Sequence, residues 1–269
     1  MNENFNVCIV GKPNVGKSTI FNKILGANIS KVSEISGTTV YPVSSLEKIN
    51  DININLIDLG GLKKKSKSHE NKQKIITSET INKILLSNVI LFILDGSDDI
   101  TKNDKQLFKL ILNKLKNVIV IVNKTDLIKD HIKKKEDYFK YFFDKNYPNI
   151  LVKPIFISAK KNVKKEFLLK KIYDIYKNSK NIINNKDVNS VLKKILEKQQ
   201  PNFANKSRPT IKFLKHVNSN PMIFKAFGNK LTTLKRDYKN FFLKQVLINL
   251  KIYNQIVVIK YLNNKNPFS

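Results

Sequence analysis

The stretch GKPNVGKST, residues 11–19, follows directly on the apolar run FNVCIV, residues 5–10. From Gly11 to Ser18 it has the pattern G-x-x-x-x-G-K-S, which forms a phosphate-binding loop when it joins a strand to a helix. Glycines allow backbone N–H groups to curl around a phosphate, and the N-terminus of the next helix favours negative charge. The stretch therefore predicts a phosphate site at the start of an α/β domain. On this motif alone, a Gly-containing turn with a chance Lys-Ser is the alternative.

The first 176 residues alternate short β-branched runs with longer helical patterns, which is typical of a parallel sheet with crossover helices. We expect a doubly wound, mostly parallel α/β domain. The predicted strands are 6–10, 46–49, 54–59, 89–95, 118–123 and 150–158, and the predicted helices are 17–25, 77–87, 102–116, 133–143 and 164–177.

Apolar periodicity lapses over the polar stretch NSKNIINNKD, residues 178–187, which indicates a connector between domains. We expect a phosphate-loop domain over 1–178 and a small α+β domain over 187–269. The second domain is predicted to contain helices at 188–199 and 231–250 and strands at 209–217, 221–228 and 255–262.

The segment NKTD, residues 123–126, comes directly after the apolar run VIVIVN and supplies polar groups where a base pocket opens. Asp126 can accept hydrogen bonds from N1 and N2 of guanine, whereas adenine would leave a buried acceptor unpaired, at a cost of about 1–3 kcal/mol. NKTD alone could be a helix cap. After a phosphate loop it predicts GTP, with Asn123, Lys124 and Asp126 at the base.

Further segments in the expected order extend this site. LIDLGG, residues 56–61, places Asp58 and Gly61 toward the Mg²⁺ shell and the γ-phosphate, and SGTT, residues 36–39, offers Thr39 as the switch hydroxyl that joins Mg²⁺. SAK, residues 158–160, follows the last predicted strand. Lys17 is expected to reach the β- and γ-phosphates, and Ser18 to ligate Mg²⁺. The other predicted nucleotide contacts are Gly11, Asn14, Val15, Gly16, Thr19, Ser158, Ala159 and Lys160.

Charge distinguishes the two parts of the chain. The formal net charge is +29, and only two of the 50 basic residues, Arg208 and Arg236, are arginines. Lys, Asn and Ile are abundant along the whole chain, which is typical of A·T-rich codon bias. Residues 176–269 nevertheless hold 19 of the 50 basic residues but only 3 of the 21 acidic ones. Since clustered lysines neutralise phosphates, we expect the second domain to face a polyanion.

The cysteine count and the hydropathy pattern bear on the compartment. The single cysteine, Cys8, lies in an apolar run, so we expect a core residue and a reducing compartment, either the cytoplasm or an organelle matrix of bacterial origin. No apolar run approaches the roughly 20 residues needed to span a bilayer, so we expect no membrane partner.

The chain resembles the second GTPase domain and the C-terminal KH-like domain of the Der (EngA) family of bacterial ribosome-assembly GTPases. The stretches that carry the resemblance are 11–26, 32–39, 56–68, 79–104, 123–128 and 224–248. It implies GTP hydrolysis to GDP and phosphate, with GTP, GDP and Mg²⁺ bound. It also implies a precursor of the large ribosomal subunit, with its rRNA and proteins, as partner, so we expect RNA rather than DNA. It also implies that Asn14 helps to hold a K⁺ ion, although Asn14 could instead only shape the turn.

Four departures from that family pattern are visible. Members have two tandem GTPase domains, whereas this chain has one, so a separate GTPase domain is a possible partner. After the switch threonines, Val40 and Tyr41 stand where Arg-Asp is usual. In the base motif, Thr125 stands where Trp is common. In the KH-like domain, FGNK (227–230) has only Gly228 where typical KH domains have G-x-x-G. The run KKKSK, residues 63–67, could contact rRNA or remain solvated.

Two alternatives to a large-subunit assembly GTPase remain open. One is a nucleotide-gated RNA- or protein-binding module with little turnover, since the switch residues depart from the pattern. The other is an Era-like small-subunit assembly GTPase, which also joins one GTPase domain to a KH domain.

Overall fold

The structure is a computed structural model, and it describes residues 3–25, 45–50, 52–58, 78–161, 163–203 and 207–263. The chain divides into two compact units, one of residues 1–140 and 153–176 and the other of residues 141–152 and 177–269. The domain bounds 1–178 and 187–269 remain a prediction.

The first unit is built on a sheet with the strand order β2-β3-β1-β4-β5-β6. All its described pairings are parallel except the antiparallel pair β2 and β3, so the predicted doubly wound, mostly parallel sheet is confirmed. The described strands are β1 (Glu3–Gly11), β2 (Ser45–Ile49), β3 (Ile52–Asp58), β4 (Val89–Asp95), β5 (Asn117–Asn123) and β6 (Ile155–Phe156). The helices are α1 (Lys17–Leu25), α2 (Ser78–Leu86), α3 (Lys102–Asn113), α4 (Ile132–Asn146) and α5 (Lys165–Lys180). The ends of α4 and α5, residues 141–146 and 177–180, are counted with the second unit.

The central strands explain why this sheet is parallel. Every residue of β4 and β5 is buried, as expected for strands covered by helices on both faces. Cys8 is also fully buried in β1, as its apolar neighbours predicted. Because parallel strands end at the same edge, the loops after β1, β4, β5 and β6 lie along one side of the unit.

The second unit contains a sheet with the strand order β7-β8-β9. β7 and β8 are antiparallel neighbours, whereas β8 and β9 are parallel and are joined through a helix. Its described elements are α6 (Asn185–Lys198), β7 (Thr210–Ser219), β8 (Met222–Asn229), α7 (Arg236–Asn249) and β9 (Val257–Asn263). One buried cluster combines the apolar faces of α6 and α7 with one face of the sheet.

Two predicted elements differ from the structure. The strand predicted at 150–158 is a strand only at Ile155–Phe156. Pro154 has no N–H to donate. The carbonyls of Asn149 and Leu151 accept from the N–H groups of Val257 and Asn254, and all four residues belong to the second unit. The helix predicted from residue 231 begins at Arg236, after a short 3-10 turn over Leu231–Thr233.

None of the helices that the structure describes has both the length and the apolar character that a bilayer crossing requires.

Candidate functional site

The phosphate loop lies between the end of β1 at Gly11 and the start of α1 at Lys17, as predicted. Asn14 has φ 64° and Gly16 has φ 95°, so the chain turns through left-handed conformations twice. A Cβ atom on Gly16 would lie 2.2 Å from Nδ2 of Asn123. Position 16 therefore requires glycine for two reasons: its φ is positive, and a larger side chain would collide with Asn123.

The first turn of α1 supplies the anion-binding groups that the motif requires. The first hydrogen bond along the helix joins the N–H of Ile20 to the carbonyl of Gly16, at 3.0 Å. The Lys17 ammonium donates to the carbonyl of Lys12 across the loop, at 2.6 Å. Ser18 and Thr19 are exposed at the same helix end. The N-terminus and the ammonium together favour a phosphate at this point.

Asn123 connects three segments of the site. Its Nδ2 donates to the carbonyl of Val15 in the phosphate loop, at 2.8 Å, and its Oδ1 accepts from the N–H of Ala159, at 2.9 Å. Both bonds are buried, and Asn123 itself is only 3% exposed. The sequence predicted Asn123 as a nucleotide contact, and the structure places it as the link between the phosphate loop, the base motif and the SAK segment.

Asp126 lies where the base motif meets the SAK segment. The hydroxyl of Ser158 donates to Oδ1 of Asp126, at 2.6 Å, and this bond lowers the pKa of Asp126 below its usual value. At neutral pH the carboxylate is therefore ionised and can only accept hydrogen bonds. A carboxylate has about four acceptor positions, so the bond from Ser158 leaves capacity for further N–H donors.

Lys124 is held by a residue that sequence reasoning missed. Its backbone is left-handed, with φ 64°, and its ammonium forms an ion pair with Oδ2 of Asp95 at the end of β4. Burial opposes the charge on Asp95, but hydrogen bonds from Lys124 and Ser97 outweigh it, so the pKa of Asp95 is lowered. Asp95 thus orients Lys124. In the sequence, Asp95 could have been found as the polar residue that ends the apolar run of β4.

A second missed contact holds the phosphate loop. The Lys12 ammonium lies 3.0 Å from Oδ2 of the buried Asp104, which also accepts from Thr101 in a capping box at the start of α3. The spacing T-x-x-D over residues 101–104 is a cap signal that could have located Asp104.

The remaining predicted site residues divide into those that the structure describes and those that it does not. Asp58 ends β3 and pairs in register with Ile9, beside the strand that enters the phosphate loop. Lys160 is exposed beside the buried Ala159. The predicted Thr39 and Gly61, and also Thr38, Val40, Tyr41, Leu62 and the run 63–67, lie outside the described residues.

The residues present fit a guanine nucleotide at this edge of the sheet. The helix end and Lys17 match a phosphate chain, and the ionised Asp126 matches the two N–H donors of guanine. Asn123 holds the phosphate loop and the SAK segment together, and it directly precedes Lys124 and Asp126 in the base motif.

Comparison with known families agrees with this geometry. Residues 6–124 match the profile of a family described as 50S ribosome-binding GTPase. Residues 183–261 match the KH-domain-like C-terminal region of the EngA bacterial GTPases. The chain resembles the EngA (Der) GTPases in both of its domains. The resemblance inferred from the sequence is confirmed, and a GTPase domain of this kind implies a site for a guanine nucleotide and Mg²⁺.

Curated EngA relatives match along nearly all of this chain. GTPase Der of Buchnera aphidicola subsp. Baizongia pistaciae is 31% identical over 268 residues, which cover 100% of this chain and 57% of that protein. GTPase Der of Mesoplasma florum is 34% identical over 252 residues, with 89% and 55% covered. The chain thus spans little more than half the length of these relatives.

Among solved structures, Era in complex with MgGDPNP and nucleotides 1506–1542 of 16S ribosomal RNA matches with a TM-score of 0.48 and 22% identity. The match covers 100% of this chain and 95% of Era. A TM-score below 0.5 does not decide between the predicted functions.

Proposed function

We propose that this chain binds GTP and hydrolyses it to GDP and phosphate. The observation that carries the proposal is the pair of buried hydrogen bonds from Asn123, which joins the phosphate loop to the segment that holds the base. A simple Gly-rich turn would not need buried hydrogen bonds to the segment whose Ser158 holds the ionised Asp126.

Each described residue has a role that follows from its chemistry. Lys17 is a point charge for the β- and γ-phosphate oxygens, and the backbone around Val15 and Gly16 supplies N–H donors. Asp126 selects guanine, and Ser158 keeps it oriented and ionised. Mg²⁺ would neutralise charge on the phosphates. Ser18, with Thr39 outside the described residues, would ligate it, and Asp58 would bond its shell.

Base selection is tested by Asp126→Asn. The amide keeps an acceptor for the Ser158 hydroxyl but presents an N–H to the base, so GTP should bind at least about tenfold more weakly and xanthosine triphosphate more tightly. Asp130→Asn, which removes an exposed carboxylate four residues away, is the matched control and should leave both affinities unchanged. Unchanged GTP affinity in Asp126→Asn would overturn the assignment of the base site.

Hydrolysis needs a group that stabilises the charge developing between the β- and γ-phosphates. Leu62 stands where many GTPases have a Gln, and both arginines, Arg208 and Arg236, lie in the second unit. We assign this role to a K⁺ ion held with the help of Asn14. The left-handed backbone of Asn14 also suits a residue that only shapes the turn, and the two roles differ in whether hydrolysis depends on K⁺.

In the cell, the chain is proposed to act on a precursor of the large ribosomal subunit, through rRNA and proteins, in the cytoplasm or a bacterially derived organelle. The family description as 50S ribosome-binding supports this partner. Sedimentation of lysate with a non-hydrolysable GTP analogue should place the protein with the large subunit. Its recovery with the small subunit would favour an Era-like role, and binding without single-turnover hydrolysis would favour a nucleotide-gated binding module.

A further inference from the structure

The sheet of the second unit has one covered face and one exposed face. Residues alternate along β8 between buried and partly exposed, and the buried ones, Met222, Phe224 and Ala226, belong to the core with α6 and α7. The opposite side of β8 therefore carries Ile223, Lys225, Phe227 and Asn229. Strands β7 and β9 continue this outer face, since Leu214 and Val257 lie in the core and their sequence neighbours point away from it.

Three lysines lie side by side across this outer face. Lys215 of β7 pairs in register with Lys225 of β8, which pairs in turn with Lys260 of β9. Lys215 and Lys260 are exposed and Lys225 is partly exposed. Like charges directly opposite each other on neighbouring strands destabilise a sheet. The strand register thus places three positive charges in one row at a cost in stability.

Nothing in the three strands relieves this repulsion. The segments 210–219, 222–229 and 257–263 contain no Asp or Glu. Among the ion pairs of the described residues, none involves Lys215, Lys225 or Lys260. The charge row is therefore complementary to a polyanion rather than to the chain's own side chains.

The next row across the sheet is apolar and aromatic. Phe213 pairs with Phe227, with ring centroids 6.3 Å apart, and Phe227 pairs with Leu262, which is 37% exposed. A row of phenylalanine rings beside a row of lysines offers flat apolar faces next to positive charges. Single-stranded nucleic acids match this arrangement, because bases stack on rings while phosphates lie near cations.

The usual RNA-binding loop of a KH domain is not present in FGNK. Gly228 lies inside β8 and pairs with Ile211 of β7. A Cβ atom on Gly228 would lie 1.8 Å from the carbonyl oxygen of Thr210, so glycine is required there for strand packing. Any RNA contact by this domain must then use another surface.

We propose that the outer face of the β7-β8-β9 sheet binds single-stranded RNA. Phe227, with Phe213 beside it, provides the base-stacking surface, and Lys215, Lys225 and Lys260 contact successive phosphates. The inference deepens the proposed function by naming the RNA-binding surface, and it rests on that function only for the kind of partner.

The test measures binding of the full chain to a fluorescein-labelled, 12-nucleotide single-stranded RNA of mixed sequence by fluorescence anisotropy, over a range of KCl concentrations. A triple variant, Lys215→Gln, Lys225→Gln and Lys260→Gln, removes the charge row. Since each phosphate contact contributes about 0.7 to the salt slope for single strands, the slope should fall by about 2. At 0.1 M salt this corresponds to about 100-fold weaker binding.

A second variant, Phe227→Leu, keeps an apolar side chain but removes the ring. It should bind the RNA at least about fivefold more weakly while its salt slope stays unchanged, because stacking does not release counterions. The matched control is Lys186→Gln, Lys194→Gln and Lys198→Gln, three exposed lysines of α6, which alters net charge by the same amount. This control should keep the slope and most of the affinity.

Several outcomes would overturn the inference. If the α6 control loses as much affinity as the charge-row variant, the loss reflects net charge and not the sheet face. If the sheet variants bind RNA as tightly as the parent, the sheet face is not the RNA-binding surface. If sedimentation shows a dimer that the sheet variants dissociate, the face is an interface between copies. Absence of RNA binding by the parent also overturns it. GTP hydrolysis, measured on the same samples, decides the proposed function separately.

Discussion

Removing the Asn123 side chain is the perturbation that bears most directly on how the site is assembled. In Asn123→Ala the carbonyl of Val15 loses its donor and the N–H of Ala159 loses its acceptor, both in buried surroundings. An unsatisfied buried group costs about 1–3 kcal/mol, so the two together should lower the free energy of unfolding by about 2–6 kcal/mol. Against a typical stability of about 5–15 kcal/mol, the domain should still fold.

The two bonds can be separated by a second substitution. In Asn123→Asp the carboxylate can still accept from Ala159 but cannot donate to Val15, and its charge faces the Val15 carbonyl. Amide hydrogen exchange at Ala159 should therefore accelerate in Asn123→Ala but much less in Asn123→Asp, whereas both variants should loosen the phosphate loop. Because a loosened loop must be ordered when nucleotide binds, both should bind GDP at least about tenfold more weakly.

The assays are urea unfolding followed by circular dichroism, hydrogen exchange by NMR, and fluorescence titration with a labelled GDP. Asn113→Ala, which removes an exposed side chain at the end of α3, is the control for a general effect of losing an amide. Parent-like stability together with parent-like GDP affinity in Asn123→Ala would refute the conclusion that this residue holds the site together.

Three further predictions follow from other contacts. Lys17→Ala should abolish detectable nucleotide binding or hydrolysis while circular dichroism stays unchanged, because its ammonium donates to the loop carbonyl of Lys12. GTP hydrolysis should be faster in K⁺ than in Na⁺ at matched ionic strength, and Asn14→Ala should abolish the difference while GDP still binds. Burial lowers the pKa of His216 below 6.5, although the hydrogen bond to Asn218 opposes this shift. The unfolded chain therefore binds a proton at His216 more readily than the folded one. The neutral ring stabilises the second unit above about pH 6.5, and this contribution is lost as the pH falls. Hydrogen exchange in β7 and β8 should accelerate from pH 7 to 5, beyond the intrinsic pH effect, and less so in His216→Gln.

Each of these has an outcome that would count against it. Turnover by Lys17→Ala at the parent rate would remove the phosphate-loop assignment. Equal hydrolysis rates in the two salts for the unmutated chain would leave activation to the ribosome alone. Protection of β7 and β8 that does not respond to acid would show that protonated His216 is tolerated, although its Nδ1 accepts from Ile183.

Local patterns were sufficient to predict most of the first unit. Glycine at position 16, the Lys-Ser pair that follows and the fully apolar runs of β4 and β5 are short-range signals, because each expresses a backbone conformation or a burial requirement within a few residues. The same holds for NKTD, whose position after a buried strand predicts its place at the carboxyl edge of the sheet.

The failure at residues 150–158 has a long-range cause. The apolar run predicted one strand, but the carbonyls of Asn149 and Leu151 are bonded by N–H groups about a hundred residues later in the chain. Hydrophobic periodicity reports whether a segment is buried, not which segment takes its hydrogen bonds. Asp95 and Asp104 were missed for a similar reason, since their partners Lys124 and Lys12 lie far from them in sequence.

By itself, the sequence determined that a phosphate loop and a guanine motif follow buried strands and that the last third of the chain is strongly basic. Only the tertiary structure decided what these features do together. The register of three strands places Lys215, Lys225 and Lys260 in one row, and two hydrogen bonds of one side chain, Asn123, join loops that are 108 and 36 residues away. The physical reason is that charge and hydrogen bonding act over a few ångströms, and only folding sets which distant residues come that close.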